Sequence, residues 1–207
     1  MPDAVLFAQK LKSALKTEQK KRRHFYKIVE ENKKMEFING EIIFQSPVKL
    51  QHNRATTLLA KLLDTFVVRE NLGLVGVEKL LVSLTRNDYE PDICFWGNAK
   101  TINFKQRQMQ FPAPDFVVEV LSESTEKNDR EVKFQDYAAH GVQEYWIIDA
   151  EKEIIEQYFL QNEQYELLLK SNSGEITGVV LPDFNIPIRA VFDESENLSA
   201  LKKLLSK

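Results

Sequence analysis

The sequence predicts an α/β domain built on a mixed β-sheet flanked by helices, and three observations carry that prediction. Residues 115–121 (Asp-Phe-Val-Val-Glu-Val-Leu) and 144–149 (Glu-Tyr-Trp-Ile-Ile-Asp) are nearly continuous apolar runs, the pattern of strands covered on both faces. Between them, residues 126–140 read as a helix closed by Gly141, and a right-handed crossover then makes the two strands parallel neighbours. Two further runs, at 153–160 and 164–170, alternate apolar and polar residues, which suits antiparallel edge strands.

The remaining elements follow in order. Val5, Leu6, Leu11 and Leu15 recur at roughly helical spacing, predicting an amphipathic first helix. Residues 34–38 and 41–45 form a hairpin about Asn39 and Gly40, a pair that tolerates positive φ, and Ser46 and Pro47 end it. Leu58, Leu59, Leu62, Leu63, Phe66 and Val67 mark a long amphipathic helix over 50–70, stopped at 71–73. Residues 77–84 and 92–96 read as strands, and 97–113 as loop with one turn of helix. A turn at 161–163 joins the edge strands, Pro182, Asp183, Phe184 and Pro187 mark a loop, and 198–205 closes the chain as a short helix. The organisation expected is a basic helical arm over 1–30, a core domain over 31–195, and a C-terminal helix within 196–207 packed on that domain.

Composition excludes several classes of function. A chain of 207 residues can bury a core without a metal or disulfide staple. Its net charge of −3 excludes a uniformly basic protein that coats nucleic acid. The charge is uneven, however: residues 1–34 carry ten Lys and Arg against four Asp and Glu. The run Lys20, Lys21, Arg22, Arg23, His24 can either attract phosphates or form the solvated face of a surface helix. Cys94 is the single cysteine, which excludes an intrachain disulfide and a four-cysteine zinc site. No apolar run approaches the length of a membrane span. Lys10, Lys12 and Lys16 interrupt every apolar stretch that could serve as an export signal, so a cytoplasmic location is expected.

One set of residues carries chemistry. Glu119 is the single charge inside the valine-rich strand, and a carboxylate there is costly unless paired or metal-bound. Asp92 follows Pro91 at the entry of another strand. Asp129, Lys133 and Tyr137 are spaced by four and share one helix face, from which Lys133 could return to the strand end. Two carboxylates suit Mg²⁺, with Mn²⁺ as a substitute, because Mg²⁺ binds through one or two carboxylates and keeps several waters. A lysine beside them would orient the attacking water or neutralise charge on a phosphate. That is the logic of metal-dependent phosphodiester hydrolysis. Each residue also has a structural alternative: Glu119 as a paired buried acid, Asp92 as a turn residue, Lys133 as a surface lysine supported by Asp129.

At these residues the chain resembles the PD-(D/E)XK nuclease superfamily and, more narrowly, the Uma-type restriction endonucleases numerous in cyanobacteria. The matching pieces are Glu36-Phe37-Ile38-Asn39-Gly40-Glu41, Ser46-Pro47, His52, Pro91-Asp92 and the run from Pro114 to Ser122. They continue through Ser124-Thr125, Asp129-Arg130, Lys133, Tyr137, Gly141-Val142 and the run from Glu144 to Asp149. The resemblance implies a restriction endonuclease-like core, Asp92 and Glu119 as metal ligands, Glu36 as a further acid near the metal and His52 as a frequent family histidine. It departs at Leu121, where the superfamily motif has lysine; the Uma-type pattern displaces that lysine to the next helix, here to Lys133, with Lys127 as the competing choice.

The function this implies is endonucleolytic hydrolysis of DNA. A homodimer is expected by analogy with the fold, since twofold symmetry serves the cutting of a duplex. Two alternatives stay open: a DNA-binding or interaction protein on an inherited nuclease fold, suggested by Leu121 and the acidic remainder, and a metal-dependent hydrolase of another substrate.

Overall fold

A computed structural model of the chain describes residues 3–29 and 33–206. The chain begins with α1 (Ala4–Ile28), the hairpin β1 (Met35–Ile38) and β2 (Glu41–Phe44), and α2 (Leu50–Arg69). Then come β3 (Gly73–Val77), β4 (Leu81–Ser83), β5 (Asp88–Tyr89), β6 (Ile93–Gly97), α3 (Asn98–Thr101) and β7 (Gln110–Phe111). The crossover unit is β8 (Phe116–Val120), α4 (Glu126–Arg130), α5 (Val132–Ala139) and β9 (Glu144–Asp149). The chain closes through β10 (Ile154–Gln161), β11 (Gln164–Ser171), β12 (Glu175–Thr177), β13 (Asn185–Pro187) and α6 (Glu194–Leu205).

Six strands make the main sheet in the order β11-β10-β9-β8-β6-β3. Strands β8 and β9 run parallel at its centre, as the crossover predicts, and every other pairing in this sheet is antiparallel. Alternation along β8 sorts its side chains between two cores. Phe116, Val118 and Val120 face α2 and the C-terminal elements, where Leu59, Leu63, Phe66 and Leu204 are buried. Val117 faces the other way, toward Tyr89, Tyr137 and Tyr145, and Glu119 shares that face by the same two-residue period. The second sheet, β2-β1-β5-β4-β7, covers this side.

Local turn chemistry accounts for the hairpins. Asn39 and Gly40 take φ of 52° and 83°, and Asn162 and Glu163 take 47° and 66°, the left-handed pair of a two-residue turn. The predicted strand over 77–84 is corrected: Glu78 and Lys79 both have positive φ (48° and 50°), so the chain leaves β3 and re-enters as β4 in the other sheet. The predicted helix over 126–140 is likewise two helices, interrupted at Glu131, whose φ and ψ of −115° and −72° depart from ideal helical values. The closing helix starts earlier than expected because Asp193 caps it, accepting hydrogen bonds from the backbone N–H of Ser195 and Glu196. The short strands β7, β12 and β13 were not apparent as strands; each is two or three residues long and has no resolvable period.

The arm is anchored at one end only. Phe25 is buried against Met35, Phe37 and Leu81. Arg22 donates to both oxygens of buried Asp88, at 2.6 and 2.9 Å, and Tyr26 adds a hydrogen bond at 2.8 Å. Within the basic run, Arg22 is therefore a structural anchor, and Lys21 pairs with Glu41. Val5, Leu6, Leu11 and Leu15, the residues that predict the helix, remain exposed among the described residues. No helix among these residues is long and apolar enough to cross a membrane.

Candidate active site

Sheet register builds the site. Strand β6 pairs antiparallel with β8, Ile93 opposite Val118, so the residue before Ile93 lies beside the residue after Val118. Those residues are Asp92 and Glu119. Pro91 has no N–H to give a ladder, and the backbone N–H of Val120 instead donates to Asp92 Oδ2 at 2.8 Å. That bond fixes the carboxylate, and Lys34 Nζ lies 2.8 Å from its other oxygen, Oδ1. His52, in the first turn of α2, brings Nε2 to 3.5 Å from the same Oδ1.

Below them, Lys133 Nζ sits among three carboxylates: Glu36 at 3.0 Å, Asp129 at 3.0 Å and Glu119 at 3.1 Å. Its side chain is 1% exposed. Lys133 and Tyr137, one turn apart on α5, both reach Glu119 Oε1. Asp92, Glu119, His52 and Lys133 line a cleft of about 300 Å³, whose rim includes Ser122, Thr125, Asp149 and Lys152.

A family model described as "Uma2: Putative restriction endonuclease" matches residues 22–189. The chain belongs to the Uma2 family. A crystal structure described as that of a putative nuclease of DUF820 from Anabaena variabilis shares this fold, with a TM-score of 0.70 at 19% identity over 84% of this chain and 96% of that one. No curated protein matches the chain.

The residues singled out from the sequence form a spatial cluster. All six, Glu36, Asp92, Glu119, Asp129, Lys133 and His52, are buried; Glu36, Glu119 and Asp129 gather on Lys133, and Asp92 with His52 lies beside Glu119 across the β6–β8 register. Lys127, the competing lysine, is exposed on α4. Lys34 was missed as a site residue, although the signal was present: it lies two residues before Glu36, and residues two apart on a strand share a face. Cys94 is buried, and Asp149 holds the turn after β9 by accepting from the N–H of Glu151 and Lys152.

The electrostatics of the site set Asp92 and Glu119 apart. Burial pushes Glu119 up to about 8; Lys133 opposes that rise, while the carboxylates of Asp129, Asp92 and Glu36 add to it. Burial also disfavours the Asp92 carboxylate, but His52 and Lys34 outweigh it and hold Asp92 below the usual carboxylate range. Burial lowers Lys133, yet its three acidic neighbours hold it well above the ordinary lysine value. Two acids pushed in opposite directions within one cleft are a feature of sites that do chemistry.

The donor set fits a hard divalent cation. Among the described residues no three His, Cys, Asp or Glu side chains form a ready-made metal cage. Mg²⁺ needs only one or two carboxylates beside its waters and substrate phosphate oxygens. Asp92 Oδ1 already holds a cation, the Lys34 ammonium, and both ring nitrogens of His52 are buried without a hydrogen-bond partner beside it.

The helix carrying Asp129 is held by a separate contact. Arg130 makes two hydrogen bonds to Glu156 on β10, at 2.8 and 3.2 Å. Burial would raise Glu156, but Arg130, Tyr158 and Lys170 outweigh it and bring the carboxylate down to about 2 from its ordinary 4.5. A depressed folded-state value contributes stability above pH 4.5 that is lost as pH falls toward 2. Glu156→Gln is expected to flatten the fall in stability over that window, read by urea unfolding at successive pH values. An identical pH slope in the variant would remove Glu156 from the account.

Proposed function

We propose that this chain is a Mg²⁺-dependent endonuclease that hydrolyses phosphodiester bonds of DNA. The observation that carries the reading is the placement of Asp92 and Glu119 side by side at the cleft by the β6–β8 register, with Lys133 beneath them. Membership of a family described by restriction endonucleases supports the reaction class. Asp92 and Glu119 would hold the ion. A bound divalent ion supplies charge neutralisation at the phosphate and makes water more acidic.

The chain's own residues have distinct roles in this reading. Val120 N–H orients Asp92, and His52 Nε2 stands 3.5 Å from its other oxygen. Lys133 and Tyr137 fix Glu119 through Oε1, and Lys133 keeps a positive charge beside the reacting phosphate where solvent is excluded. Glu36 and Asp129 position Lys133 from the opposite side.

The test is cleavage of plasmid and of single-stranded DNA with Mg²⁺, Mn²⁺ or chelator. Nicking or linearisation that requires the added metal is the expected result. Salt-sensitive DNA binding without cleavage under any metal would instead favour a binding protein on this fold. Neither binding nor cleavage would direct the search to another phosphodiester or ester substrate.

A further inference from the structure

We infer that Lys34 is a built-in cation that holds Asp92 while the site lacks a divalent metal and must give up that carboxylate when one binds. The inference rests on the reading of the cleft as a divalent-metal nuclease site.

The two lysines of the site differ in what they could release. Lys133 is enclosed by three carboxylates and is 1% exposed, so its departure would strand several buried charges. Lys34 has a side chain 14% exposed and, among the described residues, one carboxylate hydrogen bond, to Asp92 Oδ1. It also lines a second hollow that shares Gln45, Ser46, Pro47 and Val48 with the main cleft. The ammonium therefore has space toward solvent, at the end of a flexible four-carbon stem.

Competition follows from the geometry of Asp92. Its Oδ2 is engaged by the Val120 N–H, so Oδ1 is the oxygen that both Lys34 and a metal would use. An ammonium at 2.8 Å and a divalent ion cannot share that oxygen at bonding distance without strong repulsion. An internal competitor lowers apparent affinity by the fraction of time the site is free. If Lys34 occupies Asp92 about nine-tenths of the time, its removal tightens metal binding about tenfold.

The experiment is a calorimetric titration of Mn²⁺ into the metal-free wild type, Lys34→Gln and Lys34→Arg, without DNA. The expected result is about tenfold tighter binding by Lys34→Gln and near-wild-type binding by Lys34→Arg. A Lys34→Gln affinity equal to or weaker than wild type overturns the inference; if wild type binds and Glu119→Gln does not, the nuclease reading survives that failure. No Mn²⁺ binding by wild type or by Lys34→Gln overturns both. A second measurement uses the wild type alone, so it holds even if the variants fold poorly. Acetylation of Lys34, followed by mass spectrometry, should be several-fold faster with saturating Mg²⁺ than with chelator, and an unchanged rate overturns the inference.

Discussion

Glu119→Gln is expected to lower metal-dependent DNA cleavage by on the order of 10³-fold while the protein remains folded. The two halves of that expectation have separate causes. Glutamine keeps the shape of the side chain, and its carbonyl oxygen can still accept from Lys133 and Tyr137, which both reach Oε1 in the wild type. Burial and the neighbouring acids already favour the uncharged carboxyl at this position, so a neutral amide should unfold in urea near the wild-type midpoint. Glutamine cannot supply the anionic oxygen a hard cation needs, so Mn²⁺ affinity and cleavage should fall together. Asp92→Asn should behave alike in cleavage, although it also leaves the Lys34 ammonium without its anion. Cleavage by Glu119→Gln at the wild-type rate, in a preparation free of contaminating nuclease, would remove this strand end as the site.

Lys133→Met should have the largest effect on stability. Methionine fills much the same volume but leaves Glu36, Glu119 and Asp129 without the cation they share at 3.0–3.1 Å. Removing one partner of a buried ion pair costs about 3–5 kcal/mol, because the charge left behind is uncompensated. Here Glu119 and Asp129, already raised by burial, would be raised further and take up protons. A raised carboxylate is least costly below its unfolded value and most costly above its folded one. The loss should therefore be larger at pH 8 than at pH 5. Adding Asp129→Asn to Lys133→Met should recover part of it, a non-additivity expected of residues in one network. Urea unfolding of the two single variants and the double variant at both pH values measures all of this. A Lys133→Met protein as stable as wild type would show that the lysine is not the counter-ion of the cluster.

Some of this site was legible in the chain itself. A lone acid in a valine-rich strand, Pro91 before Asp92, and Lys133 one turn from Asp129 and from Tyr137 are all local patterns. They mark Asp92, Glu119, Asp129 and Lys133 before any fold is known. What they do not contain is distance. Glu36 and Lys133 are 97 positions apart in the sequence and 3.0 Å apart in space. Only the packing of the hairpin sheet against α5 brings them together. The Lys34–Asp92 pair likewise joins positions 58 apart, a separation that residue period alone does not bridge.

The sequence by itself determined the crossover unit, the two hairpins and the long helix α2, because residue period and turn chemistry act between near neighbours. Tertiary structure decided the split of residues 126–140 at Glu131, the division of residues 77–84 between two sheets, and the burial of Lys133 where Lys127 stays exposed. Each of these depends on which distant surface a segment meets. Burial also settled the electrostatics: the same carboxyl chemistry is raised at Glu119 and lowered at Asp92, because one is surrounded mainly by acids and the other by Lys34 and His52. A lone strand segment carries neither set of neighbours, and only the folded chain supplies them.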